Sequence, residues 1–416
     1  MLQSHCKKDQ IKTSRIKHKY FHKKTSLLNN ILIHSEKINR SLDNHNLSKD
    51  ECIELFHEAL IEPKELFLAS QEIREKIKKN YVTFSKKVFL NLINLCRDSC
   101  SYCTYKAEPN ESKLSMMSKK QIIQLLDLAK KYKCVEVLFV TGERPEERYS
   151  QAREWLKDNG FSSTAEYLIH ASEMAIESGL FPHTNAGNLE FSEMKEMRKT
   201  NVSMGLMLEN VSERMIEKNM PHHMAASKRP KTRLKVLENA GQLKIPMTTG
   251  ILLGIGETPD EIIDSIFAIK ELHQKHGNIQ EVILQNFQPK PDTRMNNMPA
   301  ADERYFKVIV ALSRLIMPEM NIQIPPNLSP KSYQQFLKIG INDWGGISPL
   351  TQDYVNPEFA WPKIDEVEKH TRQAGFSLNC RFPVYPEFFH LISKELRDKM
   401  ELIESDEGLV KEEYWR

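Results

Sequence analysis

The sequence predicts an α/β fold built as a full or partial (β/α) barrel with a helical N-terminal extension. Three observations predict it. From about residue 81 onward, apolar strand-like runs alternate with helical periodicity; the units recur roughly every 40 residues; and at least six of them can be counted. Repeated strand, loop and helix requires parallel strands joined by right-handed crossovers. So many units favour a barrel over an open doubly wound sheet. No self-similar repeat marks a solenoid.

The elements follow in order. Residues 1–80 read as a basic leader and helical extension, 81–330 as the barrel core, and 331–416 as barrel completion and tail. Residues 1–50 hold 11 Lys/Arg against 4 Asp/Glu, leaving 48 against 52 for the rest of a chain whose net charge is +3. The leader segment 7-KKDQIKTSRIKHKYFHKK-24 has no apolar stretch of a secretory signal, and it is Lys-rich where transit peptides favour Arg and Ser. It reads as a weakly ordered tail; contact with nucleic acid or another anion is the alternative, and no RNA-binding motif supports it. Leu27, Leu28, Ile31 and Ile33, then Leu55, Ala59 and Leu60, mark helices. The run 87-KVFLNLINL-95 is the first strand. Ser118 and Gln121 form a capping box for a helix whose apolar face is Ile122, Leu125, Leu126 and Ala129. A buried strand, 135-VEVLFV-140, follows, then a helix over 164–178 closed by Gly179. The runs 202-VSMGLML-208 and 247-MTTGILL-253 are further strands. Thr258, Pro259 and Glu261 open a helix that turns Ile262, Ile266 and Ile269 inward and stops near Gly277. The last clear strand is 281-EVILQNF-287.

Composition bounds the function. At 416 residues and 40% hydrophobic, the chain can bury a sizeable core. Runs such as 134-CVEVLFV-140 fall far short of the ~20 residues of a membrane helix, so a soluble, cytoplasmic protein is expected. Seven cysteines, three of them within eight residues, argue against a disulfide framework and for a metal centre in a reducing compartment. Cys6, Cys52, Cys134 and Cys380 read as small buried or idle thiols.

The segment 96-CRDSCSYC-103 carries the chemistry. Its spacing lets one short loop give thiolates to three irons of a [4Fe–4S] cube and leave the fourth iron open. Four-cysteine ferredoxin spacings close that coordination and make electron carriers. Structural zinc is the alternative; it needs a fourth protein ligand, and no nearby His supplies one.

C-x3-C-x-aromatic-C directly after a first strand resembles the radical S-adenosylmethionine (SAM) superfamily signature. The resemblance implies that Cys96, Cys100 and Cys103 hold the cluster, that SAM chelates the open iron, and that Tyr102 lies near adenine. The segment 141-TGE-143 is similar to the family's GGE, which implies that Thr141, Gly142 and Glu143 meet the methionine ammonium. The segment 250-GILLGIGE-257 is similar to GxIxGxxE beside adenine, placing Gly250, Gly254 and Glu257 there. Glu209 stands where a ribose ligand is expected, and Gln285 and Asn286 end the sixth strand within reach of adenine or substrate. Each segment falls at the carboxyl end of a predicted strand, where barrel chemistry is found. One-electron cleavage of SAM to methionine and a 5′-deoxyadenosyl radical is the chemistry this implies.

Within the superfamily, 141-TGERPEERY-149, 182-PHTNAG-187, 201-NVSMGLMLE-209, 244-KIPMTTGILLGIGET-258 and 281-EVILQNFQPKP-291 resemble the 7,8-didemethyl-8-hydroxy-5-deazariboflavin synthase family, the CofG half of FO synthase. The likeness spans roughly residues 85–375. It implies closure of the deazaflavin ring on a 5-(4-hydroxybenzyl)-6-ribitylimino-uracil adduct with release of ammonia. It also implies a separate radical SAM partner that makes the adduct, since no second Cys triplet is present, and an electron donor such as ferredoxin or flavodoxin. Glu143 and His183 are the candidate catalytic residues. His183 and Asn185 can exchange protons or bind a uracil edge, or can be ordinary hydrogen-bonded core residues. Glu143, Arg144, Glu147 and Arg148 form a charged turn that can equally be solvated surface, and Lys290 is expected in solvent. The rival readings are the adduct-forming partner or a menaquinone-pathway homologue, where a QGG-type segment would replace 182-PHTNAG-187, and a non-catalytic metal-binding module. An RNA modifier using the basic leader is a further rival.

Overall fold

The computed structural model describes residues 36–42 and 46–416. The basic leader, its helical positions Leu27, Leu28, Ile31 and Ile33, and Cys6 lie outside the described residues. Among the described residues nine strands form one sheet: β1 (Tyr81–Ile93), β2 (Glu136–Thr141), β3 (Phe181–Asn185), β4 (Ser203–Gly205), β5 (Met247–Leu253), β6 (Ile279–Asn286), β7 (Asn321–Gln323), β8 (Asp343–Ile347) and β9 (Ser377–Cys380). Their order is 2-3-4-5-6-7-8-1-9, with β1 also paired to β2, and every pairing is parallel. Strands β1 to β8 therefore close a full (β/α)8 barrel, and β9 joins outside on the long β1. The barrel expectation holds, in its full form.

Local chemistry explains the elements. Both expected capping boxes are present: Ser118 with Gln121 opens the helix Lys119–Lys131, and Thr258 with Glu261 opens Pro259–His276. Ile262, Ile266 and Ile269 are completely buried, and Gly277 ends that helix at φ 66°, a conformation only Gly adopts cheaply. The helix Thr164–Glu177 stops just before Gly179 (φ 79°). The run at 202–208 is a strand only over Ser203–Gly205. Beyond it Leu206 and Glu209 still donate to the Thr248 and Gly250 carbonyls, at 2.9 and 3.0 Å, but Glu209 turns left-handed (φ 66°) and breaks the ladder. Among the described residues no helix is long and apolar enough to cross a membrane.

The helices Lys49–Ile61 and Lys64–Ile77 pack on the barrel helices Pro259–His276 and Glu303–Ile316. From the second of them, the buried Arg74 caps the barrel's amino-terminal end, donating to the carbonyls of Ile341, Lys79 and Tyr81 at 3.3, 3.1 and 2.8 Å. That end is closed. The opposite end is open and leads into a cavity of about 330 Å³ running down the barrel axis.

Candidate active site

At the open end, β1 runs into the cysteine loop, which is held from several sides by backbone bonds. Arg97 N–H donates to the Glu143 carbonyl at 2.9 Å. Ser99 and Ser101 donate to Met224 and Pro221, each at 2.8 Å, and Met295 N–H donates to Ser101 at 3.2 Å. The loop's shape is thus set by the end of β2 and by the segments after β4 and β6. Gly142 lies directly against it: a Cβ there would overlap the Leu95 carbonyl, which explains why the middle of 141-TGE-143 is Gly. Glu143 N–H reaches Cys96 Sγ at 3.2 Å.

Cys96, Cys100 and Cys103 all line the cavity. Burial pushes the Cys96 thiol up to about 12 and the Cys100 thiol well above its ordinary value, and the charges of neighbouring thiolates add to both shifts. Iron takes thiolates, so loading this site displaces protons. Among the described residues no group of three or more His, Cys, Asp or Glu suits a single metal ion. A cube makes no such demand, because each thiolate takes its own iron. The loop, its three thiols and the space before them fit a [4Fe–4S] cluster.

The surrounding donor set fits SAM. Thr141 Oγ1 and Asn286 Oδ1 are buried without a hydrogen-bond partner, and both residues line the cavity. The Asn286 amide nitrogen is held by the Leu328 carbonyl at 3.0 Å, which leaves its oxygen to accept. The Glu143 carboxylate accepts from Asn188 N–H at 3.0 Å and faces Arg97 at 3.6 Å; burial pushes its pKa up, and Arg233 is the largest opposing influence. Glu209 is ion-paired with Lys228. Tyr102 bonds His222 Nε2 at 3.0 Å and packs with Leu252, Ile255 and Phe287 as an apolar wall. Carboxylates for an ammonium, Lys228 for a carboxylate and a flat apolar wall for a base suit a zwitterionic nucleoside ligand.

Gly250, Gly254 and Glu257 stand behind this wall, outside the cavity lining. Glu257 accepts from the N–H groups of Gly254 and Ile255, at 2.7 and 2.8 Å, and from the Tyr305 hydroxyl at 3.0 Å, so it shapes the turn that carries Ile255. Gly250 is small because a Cβ would overlap the Ile283 carbonyl on β6.

Deeper in the barrel, His183 lines the cavity from β3. Ser203 Oγ donates to the Pro383 carbonyl, so it accepts from His183 Nδ1, at 2.6 Å. That bond fixes the Nδ1–H tautomer and leaves Nε2 with a free lone pair. A Cβ on Gly205 would come within 2.8 Å of that nitrogen, so Gly205 clears the space before it. Burial lowers the His183 pKa to about 4, against the opposing pull of Glu136. Below it Arg381 bridges Asp343, at 2.7 Å, and Glu281, at 2.9 Å.

One expectation needs correction, and one open reading is divided. Lys290 is buried and donates to the Val355 carbonyl at 2.8 Å, because the chain after β6 folds back on the 353–356 segment. The charged turn divides: Glu143 is buried and Arg144 grips Glu193 at 2.7 Å, whereas Glu147 stays outside, paired with Arg97. Several cavity residues carried no motif: Lys87, Glu136, Lys228, Arg233 and Glu281. For Glu136 and Glu281 a signal was present, since each is the lone charge within its strand.

A cysteine-lined mouth on a full parallel barrel defines a radical SAM enzyme, and residues 90–269 match the Radical SAM superfamily. Among relatives, the 7,8-didemethyl-8-hydroxy-5-deazariboflavin synthase of Methanopyrus kandleri is 44% identical over 79% of this chain and all of its own length. That of Methanocaldococcus jannaschii is 41% identical over 82% of this chain and 94% of its own. The FO synthase of Streptomyces coelicolor is 42% identical over 74% of this chain but only 36% of its own length. In fold, the hydrogenase maturase HydG of Carboxydothermus hydrogenoformans superposes with TM-score 0.67 at 19% identity, covering 94% of each chain. Methylornithine synthase PylB superposes at 0.64 and 17% identity, covering 82% of this chain and 96% of its own. The chain belongs to the 7,8-didemethyl-8-hydroxy-5-deazariboflavin synthase family of radical SAM enzymes. Its cofactors are a [4Fe–4S] cluster and SAM, which removes the structural-zinc and metal-module readings.

Proposed function

We propose that this chain closes the deazaflavin ring on 5-amino-5-(4-hydroxybenzyl)-6-(D-ribitylimino)-5,6-dihydrouracil, releasing ammonia, methionine and 5′-deoxyadenosine. The observation that carries the proposal is a single cavity that joins the cysteine loop to a polar interior holding His183, Lys87 and Glu136. Cluster and SAM, when bound, supply hydrogen-abstracting radical chemistry. The protein's part is to orient, to exclude water and to move protons. Cys96, Cys100 and Cys103 hold the cluster. Thr141, Glu143 and Asn286 orient SAM through the acceptors described, Glu209 takes the ribose, and Tyr102 closes the apolar wall. His183, neutral at physiological pH with Nε2 open, accepts a substrate proton as the ring aromatises.

A separate radical SAM enzyme supplies the adduct, a ferredoxin or flavodoxin supplies the electron, and the cytoplasm is the reducing compartment that keeps the thiols available. The test is anaerobic reconstitution with SAM, reductant and preformed adduct. Fluorescent deazaflavin, with ammonia and deoxyadenosine, is the expected product. Deazaflavin from tyrosine and the ribityl diaminouracil without any partner enzyme would overturn the one-half assignment.

A further inference from the structure

Closed (β/α)8 barrels ordinarily fill their axis with layers of Val, Ile and Leu. Here the middle layer is different. Lys87 on β1 and Glu136 on β2 are direct register neighbours, both are more than nine-tenths buried, and both line the cavity. Gly346 on β8 leaves the room, since a Cβ there would overlap the Lys87 side chain. Among the described residues the Lys87 ammonium makes no hydrogen bond or ion pair. It lies over the rings of Trp361 and Phe89, 4.8 and 5.5 Å from their centroids. The Glu136 carboxylate likewise has no hydrogen-bond partner, although Arg381 close by is gripped by two carboxylates. The two opposite charges act on each other only from beyond ion-pair distance, and buried charges that make no hydrogen bond are costly unless a ligand completes them.

A donor beside an acceptor, facing a cavity with flat aromatic walls, complements a cis-lactam edge, in which a ring C=O adjoins a ring N–H. We infer that Lys87 and Glu136 bind the lactam edge of the substrate's pyrimidinedione, the C=O on Lys87 and the N–H on Glu136. The inference rests on the ring-closure reading and deepens it. A phenol hydroxyl can accept from Lys87 and donate to Glu136, but only through its one oxygen, whereas the lactam edge offers each of the two side chains its own atom. A ribityl chain could satisfy both but has no flat face for Trp361 and Phe89.

The test is calorimetric titration of cluster-loaded enzyme, with SAM and without reductant, using 6-(D-ribitylamino)uracil, its N3-methyl derivative and ribitol. Lys87→Met and Glu136→Gln should each weaken the unmethylated probe by about 10- to 100-fold, the range of a hydrogen bond to a charged group. SAM affinity should stay unchanged. The N3-methyl probe should bind wild type as weakly as it binds Glu136→Gln. Should Lys87→Met not fold, Glu136→Gln and the methylated probe still decide. Unchanged affinity in the variants, no penalty for methylation, or ribitol competing as well as the uracil would overturn the inference. Deazaflavin formation by wild type alongside such a result would leave ring closure standing. Its absence alongside the expected binding losses would overturn ring closure and leave the lactam site.

Discussion

At the amino-terminal end of the barrel, Arg314 is fully buried and every arm is occupied. Its Nε donates to Gly340 at 2.7 Å, Nη1 to Pro318 and Met320 at 2.7 and 2.6 Å, and Nη2 to Asn342 at 2.9 Å. Halfway up the axis, Lys87 is almost as buried, and its ammonium makes no hydrogen bond among the described residues and lies over ring faces. Nearer the mouth, His183 keeps one nitrogen bonded and the other open, and Thr141 and Asn286 keep unpartnered oxygens. Arg314 at the closed end is saturated by the protein, whereas Lys87, His183, Thr141 and Asn286 along the cavity each keep a group that the protein leaves unbonded. Saturation belongs to stability and vacancy to binding, so the two ends should respond oppositely to substitution.

The largest effect is expected at the mouth. Cys100→Ala should abolish SAM cleavage, read as loss of deoxyadenosine and of the iron content, about four irons and four sulfides per chain in the wild type. Its unfolding temperature without metal should barely move, since Cys100 is half-buried and its free thiol has no hydrogen-bond partner among the described residues. Full activity in Cys100→Ala would remove the cluster assignment.

Next comes the open nitrogen of His183. His183→Ala should slow deazaflavin formation by about 10²–10⁴-fold, the range for a general base. Deoxyadenosine should continue to form, because radical generation does not use that proton transfer. The pH behaviour gives a second readout. With a folded pKa near 4 against 6.5 when unfolded, the unfolded chain binds the extra proton between those values. This residue's contribution to stability is therefore present above about pH 6.5 and is lost as pH falls toward 4. The neutral base persists across that window, so the wild-type rate should show no acid limb at pH 6.5. Equal yields of both products at the wild-type rate in His183→Ala would take this residue out of the mechanism.

Arg314→Met breaks the comparison from the other side. Four acceptors lose their donor in a buried site, so stability should fall by roughly 3–5 kcal/mol. Turnover per loaded cluster should change little in the fraction that remains folded. A large loss of turnover with unchanged stability would show that the closed end takes part in chemistry.

What the sequence revealed follows the same division. The mouth was legible because its residues sit in contiguous segments: 96-CRDSCSYC-103 and 141-TGE-143 announce themselves within one loop. Strand and helix spacing likewise announced the barrel, and the capping boxes fell where expected. Apart from His183, which the family likeness singled out, the interior was not legible, because Lys87, Glu136 and Glu281 come from three strands and meet only after closure. Strand periodicity says that a residue faces inward but not what it faces. Lys290 was misjudged for a related reason: a lysine after a strand end is ordinarily solvated, and only the fold-back onto Val355 buries it. The partners of Glu209 and Tyr102, Lys228 and His222, are separated from them by 19 and 120 residues and belong to no motif.

The smallest effect is expected at the cysteines that stand away from the mouth. Cys134 and Cys380 are buried, unpaired thiols just before β2 and at the end of β9, and burial pushes both up to about 12. Held as thiols, they are neither nucleophiles nor metal ligands, and act as small apolar side chains. Cys134→Ala or Cys380→Ala removes one sulfur atom from packed surroundings, which should cost about 1 kcal/mol of stability. Turnover should stay within about twofold when cluster content is matched. Cys380 is the stricter case, since it adjoins Arg381, whose grip on Asp343 and Glu281 underlies the cavity. If Cys380→Ala lowered product formation while SAM cleavage persisted, the floor under the substrate would have shifted. If Cys134→Ala lowered iron content, a thiol outside the loop would be supplying a ligand, and the three-cysteine mouth would have to be redrawn.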